Sequence, residues 1–94
     1  MRKAQVDMAA HCVKSIAHPI RLSILAILVN GERNVQDLTK ALGTTQSNVS
    51  QHLAQMRARG VLKTSRRGNR TFYDVANPKV GKLVDLMKEI FCDA

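Results

Sequence analysis

Cysteine is scarce in this sequence, acidic residues are missing from a long stretch of it, and no apolar run is long. Cys12 and Cys92 are the only two cysteines, too few for a disulfide scaffold, and they read as reduced thiols. The longest unbroken apolar run, residues 24–29, is far too short to span a bilayer. No apolar stretch with a cleavage site opens the chain, so no signal peptide is read and a cytoplasmic location is expected. There is no phosphate loop, no two-histidine metal motif and no nucleophile elbow. The acids are scattered and form no pair around a pocket. These absences argue against an enzyme, and no cofactor and no membrane partner is expected.

What is present fits one small domain over residues 1–94, without repeats or low-complexity segments. At 45% hydrophobic residues, the composition is that of a folded chain. Folding at this length buries roughly 64% of the extended surface, a marginal amount for a lone monomer. A core shared with a second copy is therefore expected. The charge is strongly basic, with 15 Lys and Arg against 7 Asp and Glu. Between Gln46 and Tyr73 there is no acid at all, while Arg57, Arg59, Lys63, Arg66, Arg67 and Arg70 all fall there. Charge gathered into one segment is the footprint of a polyanion ligand.

Apolar periodicity and stop signals divide the chain into five helices and one hairpin. The first helix covers about 4–17 and ends before Pro19; the second, apolar nearly all round, runs to about 29 and is the expected core element. Asn34 caps a short third helix over 35–42. Thr45 caps a fourth over about 46–59, and the three residues joining these two, Gly43 among them, make a helix-turn-helix connection. Residues 61–66 and 70–75 read as two strands about an Arg67-Gly68-Asn69 turn. Asn77-Pro78 starts the fifth helix, whose apolar stripe is Val80, Leu83, Val84, Met87, Ile90 and Phe91. This order, mainly α with a two-stranded β-hairpin wing, describes a winged helix-turn-helix.

The fourth helix carries the sharpest signal. At 100° per residue, Ser47, Ser50, Gln51 and Ala54 share one face, and Val49, Leu53 and Met56 lie opposite. One face anchors the helix. The other offers short, uncharged donors and acceptors, which suit base edges in the major groove, where Gln pairs bidentately with adenine. Gln46, Ser47, Ser50 and Gln51 are the candidate base readers. Thr45, Asn48, Arg57, Lys63, Arg66, Arg67 and Arg70 are candidate backbone contacts, the last three at a hairpin tip suited to a narrow groove. His52 lies at the edge of the buried face, either in reach of a phosphate or as a helix–helix hydrogen-bond residue.

Ala17-His18-Pro19-Ile20-Arg21-Leu22-Ser23-Ile24-Leu25 looks like the entry to the second helix in ArsR/SmtB-type bacterial regulators. Thr45-Gln46-Ser47-Asn48-Val49-Ser50-Gln51-His52-Leu53 resembles their recognition helix, and Arg67-Gly68-Asn69-Arg70-Thr71-Phe72-Tyr73 their wing. The resemblance implies a homodimeric repressor on a palindromic operator in double-stranded DNA, with the first and fifth helices as dimer interface. Val6 and Val13 would join the stripe from Val80 to Phe91 there. It also marks departures. In the family's metal box E-L-C-V-C-D-L, Asn34 and Gln36 replace both cysteines, and Asn77 and Lys79 stand where another site uses Asp and His. Neither soft-metal site can be built from these side chains. The release signal would then lie elsewhere. Cys12 and Cys92 read as small buried hydrophobes, as a thiol switch, or, with His11, as an arsenic(III) or metal site. Thiol sensors of the family place one cysteine on the second helix, where this chain has Ala26. The alternative function is a winged helix that binds a partner protein; the uncharged polar face and the acid-free basic segment argue against it.

Overall fold

The computed structural model describes residues 1–92. Its helices are α1 (Lys3–Ile16), α2 (Pro19–Leu28), α3 (Val35–Leu42), α4 (Gln46–Ala58) and α5 (Pro78–Phe91). Its strands are β1 (Arg33–Asn34), β2 (Leu62–Arg67) and β3 (Arg70–Val75). The helices therefore fall within a residue or so of the boundaries read from sequence. Side-chain caps explain why. Asn34 Oδ1 accepts the Asp37 N–H at 2.9 Å, Thr45 Oγ1 the Asn48 N–H at 3.1 Å, and Asn77 Oδ1 the Lys79 N–H at 2.9 Å. Each such cap is worth about 1 kcal/mol. Asn34 and Asn77, two of the residues standing where the family places metal ligands, thus serve here as helix caps.

The sheet departs from the expectation of a two-stranded hairpin. It has three antiparallel strands in the order β1-β3-β2, with Arg33 opposite Tyr73 and Asn34 opposite Phe72. A two-residue strand is too short to show any alternation, so sequence could not announce it. β2 also begins at Leu62 and not at Val61. The Val61 N–H still bonds the Met56 carbonyl at 3.0 Å and the Gly60 N–H bonds Arg57, which together close α4 in a Schellman motif. Gly60 takes the left-handed position this needs, at φ 78°.

Opposed residues of β2 and β3 share a face, so the register settles which side of the wing is covered. Leu62 faces Val75 and Thr64 faces Tyr73 on the core side. Lys63 with Asp74, Ser65 with Phe72, and Arg67 with Arg70 form the outer face. The hairpin tip is Gly68-Asn69 alone. Gly68 has φ 63° and Asn69 a negative φ, the pattern of a type II′ turn.

The core centres on α2. Ile24, Leu25 and Leu28 pack with Leu38 of α3 and with Val49, Leu53 and Met56 of α4, all but closed to solvent. Val61, Leu62 and Val75 seal the wing onto this cluster, and Ile16 closes the α1 side. α5 lies on α2 and β3. A Cβ on Gly81 would sit 3.3 Å from Val29 Cγ1, so a side chain there would press against α2. Burial corrects the reading of the α5 stripe at Val84, which is only 2% exposed and belongs to the protomer interior, while Val80 packs half-buried against the same core.

Candidate nucleic-acid interface

The reading face survives folding intact. Gln46, Ser47, Ser50 and Gln51 are all exposed on α4, while Val49, Leu53 and Met56 on the reverse are fully buried. None of the four polar side chains is hydrogen-bonded among the described residues, so their donors and acceptors are free for a ligand. Asn48 is different. Its backbone N–H goes to Thr45 Oγ1, and its Nδ2 donates to Thr44 Oγ1 at 3.2 Å. Thr45 and Asn48 thus fix the start of α4, where a recognition helix enters a groove.

Arg57 and Arg59 are exposed at the far end of α4, and Arg66 and Arg70 on the wing. Arg66 Nε donates to the Gly68 carbonyl at 3.4 Å, which leans its guanidinium over the tip. Arg67 is more constrained than sequence suggested. It pairs with Glu32, which precedes β1, and its guanidinium carbon lies 3.9 Å above the centre of the Phe72 ring. Lys63 stands apart. It faces Asp74 across the strands and lines a groove toward α5 with Lys82 and Asp85.

His52 is held as a helix–helix contact. Its Nδ1 accepts from Arg21 Nε at 3.0 Å, and its ring centre lies 4.5 Å from that of His18. Burial, followed by the His18 and Arg21 charges, lowers its pKa below the ordinary 6.5. Arg21 also reaches the Ser15 carbonyl at 3.1 Å and Gln55 Oε1. Sequence reasoning missed Arg21 and Gln55 as parts of this site. The available signal was Arg21 as the one charged residue of the mostly apolar α2.

A second surface lies away from the reading face. Val6, Met8 and Val13 of α1 and Leu83, Leu86, Ile90 and Phe91 of α5 are exposed, Phe91 at 74%. A wholly apolar groove of about 220 Å³ runs between these helices and α2, with Met87 and Leu22 in its wall. Cys12 is half-buried against the core and Cys92 is exposed at the end of α5, both as free thiols. Among the described residues no three His, Cys, Asp or Glu side chains gather closely enough to hold a metal ion, so Cys12, Cys92 and His11 form no such site within one protomer. Among the described residues no single helix is long and apolar enough to cross a membrane.

Known proteins share this arrangement. The family model described as "Bacterial regulatory protein, arsR family" matches residues 18–64, from the α2 cap into β2. The biofilm growth-associated repressor of Xylella fastidiosa is 35% identical over 88 residues, covering 94% of this chain and 77% of its own length. The solved structure of HlyU from Vibrio cholerae superposes with a TM-score of 0.89 at 31% identity, covering 99% of this chain and all of HlyU. The homodimeric winged helix-turn-helix DNA-binding domain of Mb0332 from Mycobacterium bovis superposes at 0.84 and 31% identity, over 93% of this chain and 81% of that one.

Proposed function

The chain belongs to the arsR family of bacterial regulatory proteins and is a winged helix-turn-helix DNA-binding transcriptional regulator, and we propose that it acts as a homodimeric repressor without catalytic activity. In this reading α4 addresses base edges through Gln46, Ser47, Ser50 and Gln51. Thr45, Asn48, Arg57, Arg66 and Arg70 address the backbone, and Arg67 joins them when it leaves Glu32. Lys63 is left out, because it turns toward Asp74 and α5. The observation that carries the reading is the α4 face: four uncharged polar side chains, exposed and unbonded, directly behind a fully buried anchor.

The decisive experiment is Gln51→Ala on a panel of duplexes differing at one position. Preference at one or two base pairs is expected to relax by about 1–3 kcal/mol while other positions hold. Equal weakening on every duplex would make Gln51 a backbone contact and remove it from the reading set.

The dimer part rests on the apolar surface of α1 and α5 and on the likeness to Mb0332, whose domain is a homodimer. Two copies related by a two-fold axis would present two α4 helices to half-sites about 34 Å apart, which calls for a palindromic operator. Sedimentation at micromolar concentration is expected to give twice the 10.4 kDa chain mass. A species of single mass, unchanged by Phe91→Asp, would reject the dimer.

A further inference from the structure

Arg21 is 8% exposed, yet no carboxylate answers its charge. The one ion pair among the described residues joins Arg67 and Glu32. Arg21 instead spends its donors on three neutral acceptors from two other helices: the Ser15 carbonyl of α1, and His52 Nδ1 and Gln55 Oε1 of α4. A buried guanidinium without a counter-ion is expensive, and its retention asks for a purpose beyond stability.

Its geometry on α4 gives one. With Ser47 at 0°, Gln51 sits at about 40°, Gln55 at about 80° and His52 at about 140°. Arg21 therefore grips the flank between the reading face and the buried face, one turn apart at two points. The apolar anchor on the reverse resists withdrawal of the helix. The grip of Arg21 on one flank adds resistance to rotation about the axis. A roll of about 20° moves side-chain tips, roughly 6 Å from the axis, by about 2 Å. That is enough to misplace a hydrogen bond to a base edge while leaving the wing's phosphate contacts, Arg66 and Arg70, in place.

Resting on the DNA-reading function above, we propose that Arg21 is the positioning residue of the reading helix, acting through His52 and Gln55, and that the neutral ring of His52 is required for base selectivity. His52 Nδ1 must carry a lone pair to accept from Arg21, so the ring proton belongs on Nε2. Protonation sets an N–H at Nδ1 against the Arg21 N–H and adds a second cation beside a buried one. From α2, His18 and Arg21 face the ring, and from α1 only the Ser15 carbonyl enters the cluster. α3 and β2, also packed on α4, bring no side-chain hydrogen bond or ion pair to it. Burial first, and then the His18 and Arg21 charges, lower the His52 pKa, which also favours the neutral ring.

The test starts from a duplex enriched by this protein from a random library and a scrambled duplex of equal composition. Affinity for both is measured from pH 7.5 downward at fixed ionic strength, through the range in which the NMR signals of the His52 ring show it taking up its proton. The enriched-to-scrambled ratio is expected to fall about tenfold, the value of one well-placed base contact, as His52 takes up its proton. Affinity for the scrambled duplex should hold or rise. His52→Asn keeps an acceptor at the same position without titrating, so its ratio should match the wild type at pH 7.5 and stay flat. Arg21→Lys should lower the ratio at every pH. A flat wild-type ratio, or an acid loss that persists in His52→Asn, overturns the proposal even if Arg21→Lys fails to fold. Failure to enrich any duplex overturns the sequence-reading function, and this proposal with it.

Discussion

Raising salt from 50 to 200 mM is expected to weaken binding to a cognate duplex by roughly 10³–10⁵. Exposed Arg57, Arg66 and Arg70 supply three cations per protomer, and Arg67 adds one more if it exchanges Glu32 for phosphate. A dimer then neutralises about six to eight phosphates. Each released counterion adds about 0.9 to the slope of log affinity against log salt. The individual arginines should differ. Arg70→Ala, taken once in each protomer, should lower the slope by about two. Arg67→Ala should lower it less, because its guanidinium must first leave Glu32 and the Phe72 ring. A slope near zero would exclude DNA as the ligand of the basic segment and favour a protein partner. Equal slopes for the two variants would mean that the Glu32 pair does not survive in solution.

Leu53→Ala is expected to destabilise the domain by about 3–5 kcal/mol, measured by urea unfolding of the DNA-free protein. Leu53 is closed to solvent between α2, α3 and the wing, so its loss combines lost burial with a cavity. A domain of this length holds about 5–14 kcal/mol in total, so a large share of it goes. Ser50→Ala, one turn away on the reading face, should stay within about 0.5 kcal/mol. The pair separates anchor from reader on one helix. A loss below about 1 kcal/mol at Leu53 would mean that α4 is not packed as described.

That division of α4 was readable because two chemistries alternate along it at one period. Val49, Leu53 and Met56 differ from Ser47, Ser50 and Gln51 in every property that burial selects. The α5 stripe was harder for the opposite reason. Val84 and Phe91 are both apolar and, seven residues apart, share one face of α5, so neither identity nor helical period says that Val84 is buried and Phe91 exposed. Where along its length α5 meets α2 and β3 decides it, and that is a property of packing. The strand register resolved a similar ambiguity, placing Tyr73 on the core side and Phe72 outside. The contacts of Arg21 and Arg67 were hidden by distance along the chain, since His52 and Gln55 lie 31 and 34 residues from Arg21, and Glu32 lies 35 from Arg67. Cys12, half-buried, keeps the reading as a small packed hydrophobe, Cys92 is exposed and loses it, and neither shares a metal site with His11 within one protomer among the described residues.

The junction at Val61 constrains how proteins of this build can vary in length. The Val61 N–H is tied to the end of α4, and its carbonyl accepts from Ala76 just past β3. The chain has no slack between helix and wing. One residue inserted there would turn the wing's covered face outward, because strand side chains alternate with a period of two. The tip at Gly68-Asn69 carries no such tie to the core, and residues added there lengthen the hairpin without disturbing α4. Insertions should therefore unseat the wing at the helix exit and be tolerated at the tip, so the reach of the wing is the dimension left free to drift between DNA sites of different shape.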